Sequence, residues 1–471
     1  MRTTFERVTE TLDRQLAPER NYDMLRKTME VGGTGKKAVL YYIEGFVKDD
    51  LTLKVLEYLT KAESTGELMR SFPQIKVRVL SAQQTGEMVT AVLSGALVLC
   101  VEGEDSALEI DTRQYPARSL DEPENDKVLR GARDGFTETL MVNLKLIRRR
   151  VRDPRLRVTH VEIGTSTRTD VTMCYVEGLA DPAFTRKMEE RLRAIRVSAL
   201  NLGQQSLAEC LITTRWYNPF PKIRYTERPD VCAASLLEGS VIVLCDNSPM
   251  AMLLPTSIFD FVQECDDFYF PPCVGSYLRL LRTVIFLLTL TLSPTWYFFI
   301  RNPDVLPRWL AFIHPDKPGG LPVIVQLLLV EFAVDGLKMA SMNTPSTLNS
   351  SLSIVGGLIL GDFAVDAGLL TPEVILIMAF VAITNFTPSS YELGYAFKLL
   401  RMAWLALTAL FSGWGYAAGW LLTVLSVACN KTVDGSRGYL YPLIPFSASA
   451  MGRLLLRQPL KSEDGRDRGS R

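Results

Sequence analysis

The chain has 471 residues, enough for two or three domains, and its 52 basic residues balance 52 acidic ones. A formal charge of zero gives no electrostatic reason to bind nucleic acid or an acidic substrate. The only histidines, His160 and His314, have no partner at metal-ligand spacing, which argues against a zinc centre and against a Ser-His-Asp triad. The averages conceal two unlike halves. Charge is frequent up to about Tyr277; after it come long uncharged runs at 283–300, 339–361, 374–391 and 402–430.

The opening MRTTFERVTETLDRQ has no apolar core of the kind a signal peptide needs, so the first half is expected to stay on the cytosolic side. Residues Phe5 to Met29 read as helix with a break at Pro18. An internal echo follows. VLYYIEGF (39–46) is a strand running into Glu44-Gly45 and then a helix, and TMCYVEGL (172–179) is a strand running into Glu177-Gly178 and then a helix. ALVLC (96–100) and VIVLC (241–245) extend the echo. The expectation is two α/β subdomains of similar topology, 1–117 and 153–276, joined by an amphipathic helical segment, 118–152.

No enzyme constellation stands out in this half. GGTGKK (32–37) lacks the glycine four residues before Gly-Lys and the Ser or Thr after it, so it is not a phosphate loop. The eight cysteines form no CxxC pair, and most of the first five sit in apolar strand-like runs, as small buried hydrophobes do. Their scatter suits a reducing compartment. No cofactor is expected, and no metal.

The second half, 277–451, reads as an α-helical membrane domain of four or five spans, ending in a basic tail, 452–471. Leu278 to Ile300 is the first span, with Arg279 and Arg282 at its cytosolic start. Pro294 is expected to kink it, with Ser293 and Thr295 satisfying the freed carbonyls. Pro322 to Met342 carries Glu331, Asp335 and Lys338 on one face and reads as an interfacial or vestibule helix. Met402 to Ala428 is longer than a span needs, and Gly413, Gly415 and Gly419 would bend it or pack it closely.

The stretch Leu352 to Leu370, LSIVGGLILGDFAVDAGLL, concentrates the chemistry of this half. On a helix Ser353, Gly357 and Gly361 make a strip nearly without side chains, suited to close helix packing. Beside it run Ile354, Leu358, Asp362 and Asp366, four apart. Two readings fit. Either the acids sit near the headgroups, where they cost little, or they line a pore or site, the usual role of carboxylates inside a membrane.

Four blocks resemble one known family: EPENDKVLRGARDGFTETLMVNLKLIRRRV (122–151), PKIRYTERPDVCAASLLEGSVIVLCDNSP with FDFVQECDDFY, YLRLLRTVIFLLTLTLSPTWYF, and the Leu352 stretch with SIVGGLILG. They are similar to the A subunit of the GerA-type spore germinant receptor family. AVLYYIEGFVKDD is closer to its sporulation branch, the stage V sporulation protein AF type. The resemblance implies a multi-pass protein of the spore inner membrane, its soluble region facing the core. It implies rings, pentamers by family analogy, around an ion-conducting pore, and a small membrane partner. On that reading Ile354 and Leu358 form an apolar gate, and Asp362 and Asp366 form cation-favouring rings. Two alternatives stand beside it: a ligand-sensing receptor subunit, and a non-conducting scaffold whose acids pair with Lys338 or Arg401 of a neighbour.

Overall fold

The structure, a computed structural model, describes residues 3–62, 76–115, 131–212, 218–264, 266–314, 320–344, 354, 356–358, 361, 363–385, 390–436 and 438–457. They fall into two units, one within 1–213 and 223–256, the other within 214–222 and 257–468.

The first unit holds two five-stranded antiparallel sheets. Strands β1 (Met24–Val31), β2 (Lys36–Ile43), β3 (Val77–Ser81), β4 (Leu97–Val101) and β5 (Ser106–Ile110) lie in the order β1-β2-β4-β5-β3. Strands β6 (Leu156–Ile163), β7 (Thr169–Val176), β8 (Arg224–Thr226), β9 (Val241–Cys245) and β10 (Ala251–Leu254) lie in the order β6-β7-β9-β10-β8. One strand order serves both sheets. The echoed stretches occupy equivalent places in it: ALVLC and VIVLC contribute β4 and β9, each buried at every position. Gly45 and Gly178 follow β2 and β7 at φ +74° and +84°, a turn conformation that a side chain would strain.

Helices cover the first sheet on both faces. Helices α1 (Thr4–Leu16) and α3 (Thr85–Leu93) pack Leu12, Leu16, Met88 and Val92 on one side, and α2 (Asp49–Lys61) packs Val55 and Leu59 on the other. The helix expected over 5–29 is corrected here. Helix α1 ends at Leu16, where Ala17 turns left-handed at φ 45°, and 24–31 is strand β1, paired over eight residues with β2. The chain between them straps onto β6. Asn21 accepts from the Val158 amide at 2.9 Å and donates to the Leu16 carbonyl at 2.7 Å, and Asp23 takes both Nε and Nη2 of buried Arg148, at 2.7 and 2.9 Å. Arg148 lies in α4 (Leu140–Arg150). Helices α5 (Pro182–Ala194), α6 (Gln204–Leu211) and α7 (Pro229–Leu237) complete this unit.

The second unit is helical: α8 (Pro272–Arg301), α9 (Val323–Asn343), α10 (Pro372–Thr384), α11 (Tyr391–Ala428) and α12 (Ala448–Leu455). Helices α8 and α11 are long and apolar enough to cross a membrane, with mean hydropathy 1.6 and 1.3. Pro294 lies inside α8, but the expected carbonyl caps do not form: the Ser293 hydroxyl has no partner among the described residues, and Thr295 pairs instead with the Tyr416 hydroxyl at 2.9 Å.

Helix α11 is not one rod, and the run 402–428, expected to bend or pack closely at its glycines, goes further and reverses beside Gly413. Ser412 leaves helical geometry at φ 50°, ψ −125°. Trp404 donates its indole N–H to the Tyr416 carbonyl at 3.0 Å, and a Cβ on Gly419 would lie 2.1 Å from the Trp404 ring. Residues fifteen apart on a straight helix are separated by about 22 Å. The chain therefore folds back at Ser412 into a hairpin with arms 391–411 and 413–428. Gly415 is required there, because its Cβ would fall 1.8 Å from the Leu407 carbonyl oxygen. The arms rise about 31 and 24 Å, against a hydrocarbon core of about 30 Å.

The other helices align on this hairpin. Helix α8 runs parallel to the first arm, with Phe286 against Phe397 and Arg301 donating to the Ala409 carbonyl. Helices α9 and α10 run parallel to each other: Gln326 accepts from the Thr371 amide at 2.8 Å, and Lys338 and Asn385, further along each helix, line one cleft. The stretch between them returns antiparallel to α9, with Gly356 against Leu337 and Gly320 bonded to the Gly368 carbonyl at 2.8 Å.

Candidate functional site: charges inside the helical unit

Glu331, Asp335 and Lys338 are spaced four and three apart on α9, so they share one face. Lys398 and Arg401 are three apart on the first arm of α11 and meet that face. Arg401, 1 % exposed, donates Nη2 to Glu331 Oε1 at 2.5 Å and Nη1 to the Thr289 carbonyl at 2.7 Å. Lys398 Nζ lies 3.3 Å from the same Glu331 Oε1, donates to the Glu331 carbonyl at 3.3 Å, and pairs with Asp335. The five side chains line a cleft with Val334, Met378, Val381, Ala382 and Asn385.

Three cations facing two carboxylates leave this cluster one positive charge in excess. Burying ions is expensive unless each is paired and hydrogen-bonded. Most of the bonding is in place, but among the described residues Glu331 Oε2 and Arg401 Nε are buried without a hydrogen-bond partner. One acceptor and one donor thus remain open, a combination that a water or a dipolar ligand would satisfy.

The expected face of α9 therefore looks inward onto this chain's own cations. Arg401, considered as a partner for acids of a neighbouring copy, is already committed to Glu331 of its own chain. Lys398 was missed. The signal was a basic pair, three apart, inside the apolar run FKLLRMAWLAL, with two carboxylates on another apolar helix to match it.

The Leu352 stretch is placed differently. Its described residues between 354 and 366 are helical. Ile354, Leu358 and Phe363 are 64, 45 and 65 % exposed, and Asp366 is exposed as well. A Cβ on Gly357 or Gly361 would meet nothing within 4 Å; the glycine packed inside the chain is Gly356, against Leu337. Ser353 and Asp362 lie outside the described residues. Among the described residues, no group of three or more His, Cys, Asp or Glu side chains is placed to hold a metal ion.

The sequence profile of the family described as Bacillus/Clostridium GerA spore germination protein matches residues 10–468. The chain belongs to the GerA family of spore germination proteins. Its GerA relatives match along most of their length. It is 37% identical over 431 residues to stage V sporulation protein AF of Bacillus subtilis (strain 168), covering 90% of this chain and 86% of that protein. It is 28% identical over 448 residues to spore germination protein A1 of the same organism, covering 94% and 92%. Among solved structures, the N-terminal domain of the A subunit of the Bacillus megaterium spore germinant receptor GerK3 matches at TM-score 0.38 and 23% identity, over 52% of this chain and 92% of that domain. The family resemblance drawn from the sequence motifs therefore holds, and both relatives named are sporulation or germination proteins.

Proposed function

We propose that this GerA-family chain is a multi-pass subunit of the spore inner membrane, whose copies assemble in a ring around a cation path opened during germination. The observation that carries this reading is the bare face of the Leu352 stretch. Apolar Ile354, Leu358 and Phe363 are 64, 45 and 65 % exposed, and among the described residues nothing lies within 4 Å of a Cβ placed on Gly357 or Gly361. A GxxxG strip beside apolar rungs is a surface for another helix, and an acid at its end favours cations in a shared passage. The buried charges of α9 and α11 are paired within one chain and act as a fixed frame behind it. A family-like ring of five, with Asp362 contributing beside Asp366, belongs to the same proposal.

The alternation of α8, α9, the return stretch, α10 and the two arms of α11 supports an even number of crossings. The soluble unit and the basic tail then share the core side. A ligand-sensing receptor subunit is the second reading, favoured by the open atoms Glu331 Oε2 and Arg401 Nε in the cleft.

Flux from liposomes holding the full chain decides between them. The channel reading expects cation efflux that Asp366→Asn reduces and Leu358→Ala makes constitutive. Flux indifferent to both substitutions, with saturable amino-acid or sugar stabilisation that Glu331→Gln removes, would favour the receptor reading.

A further inference from the structure

The start of α8 meets the end of the described chain. Asp267, fully buried, accepts from Arg279 Nε at 3.3 Å and from Arg282 Nη1 at 2.9 Å, and Arg282 Nη2 reaches Glu264 at 3.1 Å. Arg279 Nη1 donates to the Arg453 carbonyl at 2.9 Å, and its guanidinium lies 4.7 Å from the centre of the Phe268 ring. The Arg457 amide donates to Ser276 Oγ at 3.0 Å, and its side chain crosses Gly275, where a Cβ would lie 3.0 Å from Arg457 Cδ. Gly275 and Arg279 are one helical turn apart, so both arginines share one face of α8.

Among the described residues, three guanidinium nitrogens in this corner are buried without an acceptor: Arg279 Nη2, Arg457 Nε and Arg457 Nη1. Arg279 is only 5 % exposed. Orphaned charged donors are costly, and a group completing them is strongly favoured. One acceptor, Asp267 Oδ1, is orphaned beside them. Phe268, Tyr277, Leu280 and Val284 are exposed around the corner, an apolar and aromatic surface suited to the boundary between headgroups and acyl chains.

We propose that this corner binds the phosphate of an anionic phospholipid whose headgroup carries a hydroxyl. The phosphate oxygens accept from Arg279 and Arg457, and the hydroxyl donates to Asp267. The site rests on α8 entering the bilayer, and bound lipid would tie Arg457 to the foot of that helix.

The test is native mass spectrometry of the full chain in detergent, titrated with dioctanoyl phosphatidylglycerol, dioctanoyl phosphatidylcholine or inorganic phosphate. Saturable phosphatidylglycerol adducts are expected, weakened about tenfold by Arg457→Gln, less by Arg457→Lys, and unchanged by Arg308→Gln, at an exposed arginine elsewhere. Adducts indifferent to Arg457→Gln, or phosphatidylcholine binding equally well, would overturn the site. Inorganic phosphate binding as tightly and displacing the lipid would overturn the lipid assignment in favour of free phosphate. Carbonate extraction of the same chain from membranes separates these outcomes from failure of the membrane reading, which would release it as soluble protein.

Discussion

Replacing Glu331 with Gln should destabilise the helical unit more than removing its main partner, Arg401. Glu331 Oε1 serves two buried cations, at 2.5 Å to Arg401 and 3.3 Å to Lys398. With glutamine there, Lys338, Lys398 and Arg401 face Asp335 alone, and the excess of positive charge rises from one to two. Leaving buried charge uncompensated costs about 3–5 kcal/mol. Arg401→Met removes two charge-assisted bonds, but it leaves two cations facing two acids and keeps Lys398 on Glu331. We expect about 2–3 kcal/mol for it, within the range for lost bonds to charged groups. The double variant should cost less than the sum of the singles by at least about 1 kcal/mol, because the two side chains act on each other. Unfolding of the purified chain in mixed micelles, as SDS fraction rises, measures all three. Single costs below about 1 kcal/mol, strict additivity, or a larger loss for Arg401→Met would refute the argument.

In the first unit, Asp23→Asn should leave Arg148 buried against a neutral acceptor and lower stability by about 3 kcal/mol, read as a lower midpoint in denaturant. Gly415→Ala and Gly419→Ala should abolish monodisperse folded protein, since their methyl groups would meet the Leu407 carbonyl and the Trp404 ring. Gly357→Ala has open space in its own chain and should spare the monomer while weakening assembly, seen by size exclusion. Burial pushes the Cys100 and Cys174 thiols up to about 12 and Cys245 to about 11. At pH 8 a thiol reagent should therefore label exposed Cys210, Cys273 and Cys429 and spare these three until unfolding. Free cysteine titrates near pH 8.5, so this contribution to stability is complete below that value. It is lost as pH rises from there through about 12, and alkaline unfolding should be steeper than in a Cys174→Ala variant.

Much of the fold of the two-sheet unit was legible. Runs such as ALVLC and VIVLC, apolar at every position, could only be central strands or buried helix, and the Glu-Gly after β2 and β7 marked their turns. Strand β1 was not legible, because it is an edge strand. MLRKTMEV is buried only at its two ends and shows no alternation, so its charges read as a continuing helix. The glycines of α11 pointed to a bend or close packing but not to a full reversal: FSGWG interrupts hydropathy hardly at all, and the reversal resides in the φ and ψ of Ser412. The ion cluster joins residues 70 apart on helices whose pairing no local pattern encodes. The GxxxG strip was readable, yet among the described residues nothing packs within 4 Å of a Cβ on Gly357 or Gly361, so one chain does not reveal what the strip is for.

Intersubunit cross-linking at Leu358 asks that question most directly. With exposed Cys210, Cys273 and Cys429 replaced by serine, a Leu358→Cys chain oxidised in its native membrane should form disulfide-linked dimers, whereas cysteine at exposed Trp309 should not. Monomer alone at Leu358, under conditions that cross-link a control pair within the chain, would contradict the account.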